Sequence, residues 1–402
     1  MNSFNLIDYC VGVFLLNKEF IMLPLDQNID ITASSIVFNA IHSVVNRGKV
    51  EKRDPKWMFI RPDGTASDFV ISLLKMDGLY DAKDHLSELV TKTQKSWIAV
   101  RQGQGNKERT DIRDTEEQQA RQVQVEKLIR EVGLLDERPP ALAHYDHALC
   151  PGAFLGGIRS RLAHLLKVWN INNTRYDDLV FLTGERDLRK EEGQEDCMSK
   201  LLDLSSTTLP CKQSWKMAST TPYNTEYDMN KLLFEQIQLP ESMEKALDGK
   251  VHFVNARKGT QNRVDTRGTC HTWKQQKPTP ISGTALVSSS PLLWAYQHLT
   301  IQNSLGSDFI VDTTAPAVSP VELEARRKGL VGLVQDTVAK CLYEIQQGGF
   351  VPVIPTAQKI SKKVSTQVEE QKGSLLSSMI LRSGKKISHR SEFASLRYTV
   401  RR

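Results

Sequence analysis

The chain has 402 residues, 40% of them apolar and 25% charged, the make-up of an ordinary globular protein with enough sequence for two or three domains. Its longest apolar stretch, "CVGVFLLNKEFIML" (10–23), is broken by Lys18 and Glu19, falls short of the ~20 residues of a membrane span, and follows an opening without the segments of a cleaved leader. The net charge of +6 is local: residues 356–402 carry six Lys and five Arg against three Glu, leaving 42 basic and 44 acidic residues elsewhere, so the body lacks the footprint of a nucleic-acid binder.

Residues 11–24 suit a strand or a buried helix, and 33–46 a helix. "IRPDGTASDF" (60–69) is a turn running into a helix start with Ser67 as N-cap, and the apolar spacing from Phe69 to Ile98 is mostly helical. The charged stretch 111–135 is helix-prone, with Val123, Val125, Leu128, Ile129 and Val132 suited to one amphipathic face. "DERPP" (136–140) interrupts this pattern and marks a boundary. Residues 1–139 are thus expected to form a mainly helical region.

From 140 to 349 the hydrophobic period alternates between strand and helix. Strands are expected at 145–153, 177–184, 250–256, 284–290 and 308–313, and helices at 158–169, 224–239 and from Pro291 to about Ile301. Asn224 or Thr225 caps the second of these helices, and Ser290 the third. Ser319-Pro320-Val321-Glu322 is a capping box opening a helix of roughly seven turns to Gln347. Continuous apolar strands alternating with helices imply an α/β fold: a doubly wound, mainly parallel, Rossmann-like sheet covered on both faces. The remainder, 350–402, is a basic, low-complexity tail expected to be partly disordered.

In such sheets ligands sit outside the carboxyl ends of the strands, near helix N-termini. "CPGAFLGGIRSR" (150–161) offers Gly152, Gly156 and Gly157 after a strand, with Arg159 and Arg161 nearby, but matches neither the dinucleotide nor the Walker pattern. "LVFLTGERDL" (179–188) ends a strand at Gly184 and sets Glu185 beside Arg186. "SSSPLLWAY" (288–296) places Ser288, Ser289 and Ser290 at another strand end without a nucleophile elbow around them. "NARKGTQNRVDTRGT" (255–269) brings Arg263 and Thr266 after a third strand, in a loop suited to phosphate or equally to plain exposure. In "HYDH" (144–147), strand alternation sends His144 and Asp146 to one face and His147 to the other, which argues against a metal site. The six cysteines lie far apart without a CxxC pair, as expected of free thiols in a reducing, cytoplasmic setting; secretion without a cleaved leader stays compatible.

The order of these pieces resembles the bacterial YdcF/SanA/ElyC-like family, a Rossmann-like domain of unknown function. The counterparts are "YDHALCPGA", "RSRLAHLL", "LVFLTGE", "TEYDMNKLLFEQIQLP", "NRVDTRGT" and "ALVSSSPLLWAY", covering about half the chain. The resemblance carries over Glu226, Thr266 and Ser288 as pocket lining. The chain departs from the family pattern at Glu185, where a second glycine is expected, and at Leu292 and Ala295, where the family has His and Arg.

Two functional readings follow. In the first, the α/β domain binds a polar, nucleotide-like or phosphorylated small molecule and carries out transferase or hydrolase chemistry on it. Its pocket is formed by Gly152, Gly184, Glu185, Arg186, Glu226, Arg263, Thr266 and Ser288–Ser290, with no cofactor specified. The alternative is a non-enzymatic interaction protein or secreted effector, which engages a protein partner through the N-terminal region or the tail and uses the α/β domain as a scaffold.

Overall fold

A computed structural model of the chain describes residues 12–16, 19–23, 44–98, 112–188, 197–204, 207–216, 223–258, 264–276, 280 and 282–352. The tail and most of the helix expected at 33–46 lie outside these residues, although 44–50 are helical. Within 11–24, β1 (Gly12–Leu16) pairs antiparallel with β2 (Glu19–Leu23). Helices α1 (Lys56–Phe59), α2 (Asp68–Met76) and α3 (Leu86–Trp97) follow. Ser67 caps α2 as its sequence position predicts, its side chain accepting from Val70 N. The charged stretch forms two pieces, α4 (Glu116–Ala120) and α5 (Gln122–Glu131). Val125 and Ile129 are fully buried, whereas Val123 is 80% exposed and leaves the expected apolar face.

Five strands then build one parallel sheet. They are β3 (His144–Pro151), β4 (Arg175–Gly184), β5 (Val251–Ala256), β6 (Gly283–Ser288) and β7 (Phe309–Thr314), in spatial order β5-β4-β3-β6-β7. The chain begins in the middle, winds outward through β4 and β5, then returns across β3 to lay down β6 and β7. Between the strands lie α6 (Leu155–Asn170), α7 (Cys197–Leu202), α8 (Glu226–Gln236), α9 (Glu241–Ala246), α10 (Thr266–Gln275) and α11 (Trp294–Leu305).

Strand alternation divides the apolar runs between two cores. Tyr145, Ala148, Cys150, Leu179, Phe181 and Leu286 pack with Ile158, Leu162 and Leu165 of α6 and Met229 and Leu233 of α8. Their neighbours Leu149, Val180, Leu182, Ala285 and Val287 pack on the opposite face with Cys270 and Trp273 of α10 and Ile301 and Leu305 of α11. Burial on both faces is why these strands read as unbroken apolar runs. The fold is therefore a doubly wound α/β sheet.

The capping box at Ser319 opens α12 (Pro320–Arg326) with proline at N1, but the expected seven-turn helix is divided. A single 3₁₀ turn, Arg327–Gly329, separates α12 from α13 (Leu330–Gln347). The reason is a chain crossing: a Cβ on Gly329 would collide with Ile112 O and lie 2.9 Å from its carbonyl carbon. Asp114, from the same crossing segment, then accepts from Val331 N at 3.0 Å and Gly332 N at 2.8 Å, satisfying donors at the start of α13. Val334, Val338 and Leu342 of α13 join Phe59, Val70, Leu73, Leu89 and Ile129 of the N-terminal helices in a third core. That core also takes Leu292 and Leu299, and the described residues up to Phe350 form one compact unit.

Candidate ligand-binding site

The return of the chain across β3 places a topological switch point between β3 and β6, where their crossovers leave in opposite directions. Gly152 follows β3 there. A Cβ on it would collide with Glu226 Oε1 and stand 2.8 Å from Glu226 Cδ. The glycine thus admits an internal carboxylate to the backbone, in the place where related sheets bring in a phosphate. Glu226 arrives because residues 186–188 and 224–226 pair: Glu226 N donates to Arg186 O at 2.9 Å and Leu188 N to Asn224 O at 3.1 Å. The carboxylate accepts from Arg186 Nε at 3.1 Å, with the two side chains 10% and 7% exposed, and the guanidinium lies 5.1 Å from the Phe154 ring centroid. Thr225 and Asp228 form the capping box of α8, so the first-turn position of Glu226 leaves its side chain available for this pair. Arg186, expected to line the pocket, is held by a protein carboxylate.

The serines after β6 are also engaged. Ser288 Oγ donates to Arg161 O at 3.0 Å and Ser289 Oγ to Gln297 Oε1, and both residues are fully buried. Arg161, buried on α6, donates from Nε and Nη2 to Ser290 Oγ at 3.3 and 3.2 Å, and from Nη1 to the carbonyls of Pro151 and Gly152. Ser290 is therefore not the expected N-cap, and Pro291 is not the first helical residue. The chain makes a turn through Leu292, at φ 65°, and α11 begins at Trp294. Leu292 is 2% exposed in the core shared with the N-terminal helices, and that burial offsets about 1–2 kcal/mol of left-handed backbone strain.

The other expected positions divide. Gly184 is required by strand approach, since a Cβ there would lie 2.8 Å from Ala256 O, and Glu185 N donates to that same oxygen at 2.9 Å. Thr266 is the first residue of α10, whose N-cap is Asp265. Arg263 lies outside the described residues. His144 meets Asp177 at 3.0 Å and His147 meets Asp178 at 3.1 Å, while Asp146 accepts from Thr284, the divergence that alternation requires. Among the described residues no cluster suits a metal ion. Cys150 is buried, and burial pushes its thiol up to about 12.

A cavity lies beside this crevice. It measures about 920 Å³ and runs along α6 from its N-terminus, within the size range of small-molecule sites. Residues 156, 159, 160, 163, 164 and 167 of the helix form its floor, with Lys200, Asp203, Thr207 and Thr208 on one wall and Pro316, just past β7, on another. Arg159, Lys167 and Lys200 supply three positive charges against the one of Asp203. Arg159 Nη2 donates to the carbonyls of Lys200 and Leu201 at 3.1 and 3.2 Å, fixing the wall to the floor, and Lys167 pairs with Glu137 at 2.6 Å.

His164 is the buried member of this set. Its Nε2 lies 2.7 Å from Thr314 Oγ1, while its Nδ1 has no hydrogen-bond partner among the described residues. Burial, the largest cause, lowers its pKa to about 4, opposed by Glu137 and assisted by Lys167. Sequence reading singled out Arg159 but missed His164, Lys167 and Lys200. The available signal was the polar stripe Ser160, His164 and Lys167, spaced by four and three on a helix whose other face is apolar, with Arg159 beside it.

No protein-family model, curated protein or solved structure matches the chain.

Proposed function

We propose that the α/β unit binds a phosphorylated small molecule at the carboxyl end of its sheet, in the groove along α6. The observation that carries this reading is the cavity itself: about 920 Å³, lined by three cations and by hydroxyls of Ser160, Thr207 and Thr208, and beginning at the N-terminus of a 16-residue helix. Positive side chains, a helix start without a side-chain cap and hydroxyl donors together suit a phosphoryl group. The same reading explains why the residues expected from sequence line the neighbouring crevice and not the pocket. Gly152, Arg186, Glu226 and Ser288–Ser290 form the supporting frame that orients α6, through Arg161 and the buried ion pair.

The test is thermal stabilisation of the full chain by millimolar inorganic phosphate, methyl phosphate, ribose 5-phosphate, AMP and unphosphorylated ribose. Phosphorylated compounds should raise the melting temperature and ribose should not. Lys200→Glu, a change on the exposed wall, should abolish the shift without lowering the ligand-free melting temperature. Equal stabilisation of wild type and Lys200→Glu would overturn the reading.

A further inference from the structure

Phe154 is the one aromatic among the residues lining the groove, and local helix chemistry does not account for it. It occupies the N-cap of α6, at φ −64° and ψ 160°. Ser, Thr, Asp or Asn there would satisfy a helix-start N–H, and phenylalanine satisfies none. Packing does not account for it either. Its neighbours Leu155 and Ile158 enter the core beneath α6, whereas half-buried Phe154 belongs to none of the three cores formed by the described residues.

The ring is nevertheless held. The Arg186 guanidinium lies over it, 5.1 Å from the centroid, its one ring contact among the described residues. Arg186 is in turn bound by Glu226 at 3.1 Å, in a buried pair. One face of the ring is thus backed by a cation that the protein itself restrains, and the residue borders the groove. A ring fixed in this way loses little freedom when a flat partner stacks on its other face.

The phosphoryl site is close by. Arg159 is five positions further on, about 7.5 Å along a helix axis, and both residues line the groove. A pentose holds a base and a phosphoryl group about that far apart, and a cavity of about 920 Å³ has room for all three. Resting on the binding reading above, we infer that the groove selects nucleoside monophosphates over sugar phosphates, the base stacking on the face of Phe154 away from Arg186 and the phosphoryl group meeting Arg159 and Lys200. Phe154 is the specificity residue of this arrangement. Every base has a π-face, so the platform accepts purines and pyrimidines alike.

Calorimetric titration of the full chain with AMP, ribose 5-phosphate and adenosine separates the contributions. AMP should bind about tenfold more tightly than ribose 5-phosphate, within the range for one base stacked on an aromatic side chain. Adenosine, which lacks the phosphoryl group, should bind more weakly than AMP. Phe154→Leu keeps the apolar bulk without a π-face and should bring AMP down to the affinity of ribose 5-phosphate. Phe154→Tyr keeps the ring and should keep the preference. Equal affinities of AMP and ribose 5-phosphate in wild type, or a preference that survives in Phe154→Leu, would overturn the inference and leave phosphate binding standing. Failure of wild type to bind either phosphorylated compound, or adenosine bound as tightly as AMP, would overturn both. The wild-type comparison needs no substitution, and circular dichroism of each variant separates lost stacking from lost folding.

Discussion

Gly152→Ala tests the contact on which the crevice is built. The new methyl group would collide with Glu226 Oε1, lie 2.8 Å from Glu226 Cδ and 3.2 Å from Leu182 O. The Leu182 oxygen belongs to strand β4, inside the sheet beside β3, and accepts from Gly152 N at 2.8 Å, so it is the carboxylate that must yield. Cδ has to retreat by at least about 0.7 Å to reach ordinary contact of ~3.5 Å, which draws it off the 3.1 Å bond to Arg186. Removing one partner of a buried ion pair costs about 3–5 kcal/mol; displacement without removal should cost somewhat less, about 2–3 kcal/mol. For a unit of this size that corresponds to a melting temperature lower by about 4–8 °C. The decisive assay is a double-mutant cycle by urea unfolding. In a Glu226→Ala background the methyl group has nothing to displace, so Gly152→Ala should become nearly neutral there, with a coupling of about 2 kcal/mol. Additive losses would refute the collision and with it the account of why glycine occupies this position.

Gly329→Ala should destabilise by about 2–4 kcal/mol and raise hydrogen exchange in residues 112–114, since its Cβ meets the backbone of Ile112 and not a side-chain tip. His164 and His298 are both buried with pKa lowered to about 4, chiefly by desolvation. The unfolded chain binds their protons near pH 6.5 and the folded chain does not, so stability is full above that pH and falls as pH drops towards 4, by on the order of 3 kcal/mol for each ring. His298→Gln should flatten the pH dependence of the urea midpoint in that window; an unchanged slope would contradict the assignment. Of Cys150, Cys211, Cys270 and Cys341, partly exposed Cys211 should alkylate first, with the other three, all buried, protected until unfolding, as followed by mass spectrometry.

The sheet was legible because its strands are buried on both faces, so that "LVFLTG" and "ALVSS" stand out as apolar runs between helical periods. Helix ends were legible where a local cap decides them, as at Ser67, Thr225 and Ser319. They were not where a distant segment intervenes. Nothing near Gly329 announces that Ile112 crosses it, and nothing near Pro291 shows that Leu292 is drawn into the N-terminal core. The site divided in the same way. Small residues at strand ends were found, but a glycine that admits Glu226 has the same sequence signature as one that admits phosphate. The groove depends on residues 164, 200 and 314, whose proximity only the assembled sheet reveals.

The central claim is the location and chemistry of the ligand, and a crystal structure of the full chain with bound ribose 5-phosphate tests it most directly. The phosphoryl group is expected against Arg159 and Lys200 at the start of α6. Phosphate density over Gly152 or among Ser288–Ser290, with Arg186 released from Glu226, would contradict it.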